Sequence, residues 1–98
     1  MQNSSAKQKF FYVYVLLSLK DWNLYIGVTD NLKRRISEHN KGLEISTKSR
    51  VPFKLIYCEL FINKVDAFKR EKYLKGGWGR KHLRSALKLT LLDSKARL

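Results

Sequence analysis

The sequence predicts a small α+β domain with a largely antiparallel sheet, and three observations carry that expectation. Two strand-length apolar runs lie close together near the start, separated by a short polar turn. Asparagine-containing capping segments then introduce helical stretches on either side of a third strand-length run. The length, 98 residues, suits one domain.

Phe10–Ser18 reads as the first strand, because Phe11, Val13, Val15 and Leu17 alternate with Tyr12, Tyr14, Leu16 and Ser18. Both sets are largely apolar or aromatic, so this strand should be covered on both faces. Lys20–Asn23 forms a polar turn, and Leu24–Val28 returns as the second strand of a hairpin. Thr29-Asp30-Asn31 supplies caps for a helix that runs to about Lys41 and stops at Gly42. A basic loop leads to a third strand, Phe53–Ile62. Asn63 caps a second helix over Lys64–Lys75, and Gly76-Gly77-Trp78-Gly79 breaks it. A last helix, Lys81–Leu92, carries an apolar stripe at Leu83, Ala86, Leu87, Thr90 and Leu91. The order is β-β-α-β-α-α. The expected organisation is a disordered polar tail over residues 1–9, one domain over 10–92 and a C-terminal tail over 93–98.

Charge narrows the partners. The chain holds 21 Lys and Arg against 8 Asp and Glu, a net of +13. Nucleic acid is the leading class of partner for such a protein, and an anionic membrane is the second. Residues 64–98 carry 11 basic and 3 acidic side chains, against 10 and 5 over residues 1–63, so the second helix should centre the anion-binding face. Core packing explains the leucines of the last helix more simply than lipid binding does, and no membrane association is expected. One cysteine, Cys58, excludes an intrachain disulfide framework and a cysteine-based zinc cluster. The apolar run after Lys7 and Lys9 lacks a small-residue cleavage site, so a signal peptide is rejected and a cytoplasmic location is expected.

Several polar residues fall where apolar ones belong. At 100° per residue, Leu32, Arg35, Ile36 and His39 share one sector of the first helix, whereas Arg34 and Glu38 form an i,i+4 pair opposite. In the second helix, Glu71 projects into the sector defined by Ala67, Phe68 and Leu74. A snorkelling Arg35, a satisfied boundary His39 and a salt-bridged Glu71 account for these residues. So does a site in which they converge with Tyr14 and Tyr25 on one side of the sheet. There Glu71 would hold a metal ion, Arg35 would bind and stabilise a phosphate, and a tyrosine or His39 would take a proton from water. That chemistry is phosphodiester hydrolysis. Gly27 would let a ligand approach closely. Lys48 and Arg50 read equally as a solvated loop or as phosphate contacts. The candidate substrate contacts are therefore Gly27, Lys48, Arg50 and Lys75.

The same residues carry a resemblance. Tyr12-Val13-Tyr14 and Tyr25-Ile26-Gly27, with Tyr25 eleven positions after Tyr14, resemble the two signature strands of GIY-YIG nucleases. Arg35 follows Tyr25 by ten positions, His39 comes four later, and Glu71 stands in Arg70-Glu71-Lys72-Tyr73-Leu74-Lys75. The resemblance spans about residues 10–88. It implies a three-stranded antiparallel sheet flanked by helices and a divalent-metal-dependent endonuclease acting on DNA, with repair or recombination as its setting and RNA left open as a substrate. It also implies one Mg²⁺ or Mn²⁺ on Glu71, a phosphate-stabilising Arg35, and Tyr14 as base or water positioner, with Tyr25 and His39 competing or supporting. Some relatives place a C-terminal Asn at the active site, whereas no Asn follows Asn63 here. A non-catalytic basic module that holds nucleic acid is the alternative. No appended DNA-binding domain is read, which leaves specificity weak or supplied by a protein partner.

Overall fold

The computed structural model describes residues 8–96. Three strands, β1 (Phe11–Ser18), β2 (Leu24–Thr29) and β3 (Phe53–Phe61), form one antiparallel sheet in the order β2-β1-β3. Four helices accompany it: α1 (Leu32–Asn40), α2 (Lys64–Lys75), α3 (Gly77–Ala86) and α4 (Lys88–Ala96). The architecture is the three-stranded α+β arrangement expected from the sequence. No helix among the described residues is long and apolar enough to cross a membrane.

The alternation along β1 divides the protein into two layers. Val13, Val15 and Leu17 pack with Leu24 and Ile26 of β2 against Ala67 and Leu74 of α2 and Leu83 of α3. Tyr14 and Leu16 face the other way, onto Phe53, Tyr25 and the α1 residues Leu32 and Ile36. Val13 through Ser18 are all buried, as a strand covered on both faces requires. Cys58 is half-buried on this second face, where burial raises its thiol pKa.

Local chemistry fixes the ends of the helices. Asn31 accepts a hydrogen bond from the Arg34 backbone N–H at 3.0 Å, and Asn63 accepts from Val65 and Asp66 at 2.8 and 3.3 Å. Beyond α1, Gly42 takes the left-handed conformation (φ 73°), and its N–H reaches His39 O at 3.0 Å while Leu43 N–H reaches Glu38 O at 3.0 Å. This pair of hydrogen bonds is a Schellman-type stop, which glycine adopts without strain.

Three expectations need correction. The glycine cluster does not form a long break: Gly76 alone is the joint, and α3 begins at Gly77. The expected helix over Lys81–Leu92 is divided at Leu87, whose backbone (φ −106°, ψ 20°) leaves the helical region. The expected C-terminal tail, 93–98, is helical through Ala96, because α4 carries on past Leu92. Residues 97–98 and most of the expected N-terminal tail, 1–7, lie outside the described residues. Lys9, placed in that tail, pairs with Asp30 at 3.2 Å.

The α2–α3 corner is tight. A Cβ on Gly79 would stand 2.1 Å from the Tyr73 carbonyl oxygen and 2.5 Å from Leu74 Cα, and both obstacles are backbone. Gly77, two residues earlier, has open space around it. Gly79→Ala should therefore cost about 2–3 kcal/mol through overpacking, whereas Gly77→Ala should be neutral or slightly stabilising. Urea unfolding of both variants checks this, and equal effects would contradict the packing.

Candidate active site

The site is built around one hydroxyl group. Tyr14 stands on β1 opposite Gly27 of β2 and Cys58 of β3. Its ring lies across Gly27, which leaves no room for a side chain: an added Cβ would come within 2.5 Å of Tyr14 Oη. The space that Gly27 opens is thus filled by Tyr14 itself and not left for a ligand. The sequence assigned the glycine to substrate approach because glycine removes bulk, but its pairing register shows whose bulk it accommodates.

Tyr14 Oη meets His39 Nε2 at 3.0 Å, and His39 Nδ1 meets Thr47 Oγ1 at 2.8 Å. Tyr14, His39 and Thr47 are all essentially inaccessible to solvent. Tyr25 packs its ring against the edge of His39 at 4.9 Å between centroids, and Phe53 lies 5.8 Å from the imidazole. His39 comes from the last turn of α1, one turn beyond Arg35, so the shared sector read from the sequence does face the sheet.

Arg35 sits beside the Tyr14 hydroxyl, with its side chain 27% exposed. Nη1 pairs with Glu38 at 3.2 Å, and Nη2 makes a short contact with Glu44. Burial opposes its charge, but the hydrogen bonds to Glu44, Tyr14 and Glu38 outweigh that and hold the guanidinium protonated. Arg34 pairs with Glu38 at 3.8 Å across one turn, as its spacing predicts. Neither Glu38 nor Glu44 was distinguishable in sequence as a partner of Arg35. Glu38 carries a helical-spacing signal shared with Arg34, whereas Glu44 reaches back from a loop.

Proton positions follow from donor capacity. Arg35 can only donate, so the hydroxyl proton of Tyr14 has no acceptor on that side. His39 Nε2, 3.0 Å away, is the neighbouring group able to accept it, and the contact of Nδ1 with Thr47 Oγ1 bears on which ring nitrogen carries the imidazole proton. Thr47 in turn donates to the Glu44 backbone carbonyl at 3.5 Å. Burial raises the Tyr14 pKa from its ordinary 10.0 to about 12, against the lowering influence of Arg35. Burial, reinforced by the Arg35 cation, pushes His39 below its ordinary 6.5. Both groups are accordingly neutral at pH 7.

Glu71 enters from the other layer. Ala67 and Leu74, its neighbours on α2, belong to the core on the opposite face of the sheet from Tyr14. Tyr14, Tyr25, Arg35 and His39 gather on one face, and Glu71 comes from the helix that packs the other. The Glu71 charge contributes weakly to raising Tyr14. Its side chain is 18% exposed and pairs with Lys75 Nζ at 3.1 Å. An open cleft of about 410 Å³ lies between α1 and α2, with Arg35 and Arg34 on one wall and Lys64 and Phe68 on the other.

The remaining substrate candidates are placed as follows. Arg50 is occupied inside the protein: it bonds Asp21 at 2.7 and 3.3 Å and the Asn23 carbonyl at 3.2 Å, tying the hairpin turn to the entry of β3. Lys48 is exposed in a short 3-10 turn, and Lys75 stands beside Glu71. Trp22 is half-buried against the core, but Trp78 is 78% exposed with Lys81 Nζ 5.7 Å from its ring centre. Packing explains the first tryptophan and not the second.

The neutral His39 gives a pH prediction. Its folded pKa is depressed, so the unfolded chain binds the proton more readily. The stabilisation is complete above about 6.5 and is lost as pH falls through the folded value. His39→Gln should flatten the decline of unfolding free energy between pH 7 and pH 5. An unchanged slope in urea titrations would contradict the assignment.

Residues 10–84 match the family model of the GIY-YIG catalytic domain. The chain is 44% identical over 86 residues to the UPF0213 protein CPE1444 of Clostridium perfringens, covering 87% of this chain and 85% of that one. It is 42% identical over 94 residues to a UPF0213 protein of Lactiplantibacillus plantarum, covering 93% and 86% respectively. Its backbone is similar to the solution NMR structure of the UPF0213 protein BH0048 from Bacillus halodurans, with a TM-score of 0.50 and 32% identity over 79% of this chain and 84% of that one. Tyr14, Tyr25, Arg35, His39 and Glu71 all fall inside the matched span, and the chain belongs to the GIY-YIG family.

Proposed function

We propose that the protein is a divalent-metal-dependent endonuclease that hydrolyses phosphodiester bonds in DNA, in repair or recombination. The observation that carries this reading is the Tyr14 hydroxyl held 3.0 Å from His39 Nε2 and beside the Arg35 cation, within the matched catalytic domain.

In this reading Tyr14 Oη accepts a proton from the attacking water as its own proton passes to His39 Nε2. The water oxygen forms the new bond to phosphorus, the bond to the leaving oxygen breaks, and that oxygen takes its proton from solvent. Arg35 offsets negative charge on Tyr14 and on the phosphate. Glu38, Glu44 and the Tyr14 hydroxyl engage part of its five N–H groups, and the remainder are available to phosphate oxygens. Both ring nitrogens of His39 are engaged, Nε2 by Tyr14 Oη and Nδ1 by Thr47 Oγ1, so it acts through Tyr14.

The residues fit a resident cation of one kind. No three His, Cys, Asp or Glu side chains cluster among the described residues, so Glu71 would supply a single carboxylate. Mg²⁺ and Mn²⁺ suit such a site, because they keep waters and take further ligands from substrate phosphate. When bound, the ion would polarise the phosphate and neutralise charge on it. Lys75, now paired with Glu71, would be freed to meet the DNA backbone.

A non-catalytic nucleic-acid-binding module is the second reading. It is favoured by the internal pairing of both Arg35 and Glu71. Nicking of supercoiled plasmid and of a branched DNA, with Mg²⁺ or Mn²⁺, separates the two. The native protein should cut, and Glu71→Ala should lose the activity while retaining salt-sensitive binding. Equal cutting by both would point to contamination or to the wrong site. Binding without cutting by the native protein would favour the module.

A further inference from the structure

We propose that Thr47 is a positioning residue for the active site: its buried hydroxyl fixes His39 in the tautomer that presents a bare Nε2 to the proton of Tyr14. The catalytic part of this inference rests on the nuclease reading. The tautomer does not.

Thr47 has no counterpart in the motif that identifies the family here, and it lies in the basic loop that the sequence reads as solvated or in contact with phosphate. Yet its side chain is completely buried, in a segment whose neighbours are not. Leu43 and Ile45 are 67% and 87% exposed, so apolar packing does not anchor this turn. Polar contacts do. The Glu44 carbonyl receives the backbone N–H groups of Thr47 at 3.1 Å and Lys48 at 2.9 Å, and it also receives the Thr47 hydroxyl at 3.5 Å. The hydroxyl proton is thereby directed away from His39, and Oγ1 turns a lone pair toward Nδ1 at 2.8 Å.

An imidazole has two neutral forms, and the bond made at one nitrogen sets the state of the other. With Nδ1–H bonded to Thr47, Nε2 is an acceptor. In the other form Nε2–H would point at Tyr14 Oη, which already faces the donor-only Arg35. The tyrosine proton would then have nowhere to go. A methyl group in place of the hydroxyl removes the acceptor for Nδ1–H and the preference with it. Serine preserves it.

The tautomer can be read directly from the ¹⁵N chemical shifts of the imidazole in protein labelled at histidine. The chain has two histidines, so a His82→Asn background leaves His39 alone. The native protein and Thr47→Ser should show the proton on Nδ1. Thr47→Val should lose that signature, and its single-turnover DNA cleavage should fall at least about tenfold, with DNA affinity unchanged and Thr47→Ser near the native rate. A native protein protonated on Nε2, or a valine variant with the native signature, would overturn the proposal, and the first outcome needs no variant to fold. If the native protein cuts no DNA, the nuclease reading falls, and the NMR comparison alone decides what Thr47 does.

Discussion

Coverage of β1 on both faces and along both edges is the constraint from which the rest of the molecule follows. A strand paired on either side cannot shift its register without exposing one apolar face and burying the wrong side chains on the other. The odd-numbered residues Val13, Val15 and Leu17 commit one face to α2 and α3. The even-numbered Tyr14 and Leu16 commit the other to α1. Tyr14 is therefore held by strand pairing on both sides and by packing on its own face, and its hydroxyl becomes a fixed point against which Arg35 and His39 are arranged.

That arrangement carries a cost that hydrogen bonding offsets. A hydroxyl, an imidazole and a second hydroxyl are buried in succession, and each would be destabilising without a partner. They satisfy one another, and no buried side-chain polar atom among the described residues lacks a hydrogen-bond partner. The same burial keeps Tyr14 and His39 neutral, so the pair rests as a proton donor and acceptor already in contact. Arg35 is the charged member, and Glu38 and Glu44 steady it without using all its donors.

Much of this was legible in the sequence, for local reasons. Alternation predicted β1 and its double coverage, and Asn31 and Asn63 marked the helix starts because their side chains cap backbone N–H groups. Helical geometry turned Arg35 and His39 toward the sheet. It also set Glu71 between Ala67 and Leu74, where its side chain is indeed mostly buried. What could not be read depended on contacts between distant segments. Thr47 meets His39 across a loop that has no periodicity, and Arg50 meets Asp21 across 29 residues. Gly27 could be recognised as a position needing space, but its occupant, Tyr14, is defined by strand register. The layer from which Glu71 approaches depends on how α2 crosses the sheet, which the periodicity of the helix does not encode.

If the Tyr14 hydroxyl handles a proton in phosphodiester hydrolysis, its removal slows the chemistry and leaves binding intact. The measurement is the single-turnover cleavage rate of Tyr14→Phe at saturating protein, with DNA affinity measured alongside. The rate should fall by about 100-fold or more with Kd unchanged, the scale expected for loss of a positioned proton-transfer group. Cleavage at the native rate would contradict that role, and would reduce the buried hydroxyl to a packing element of the core.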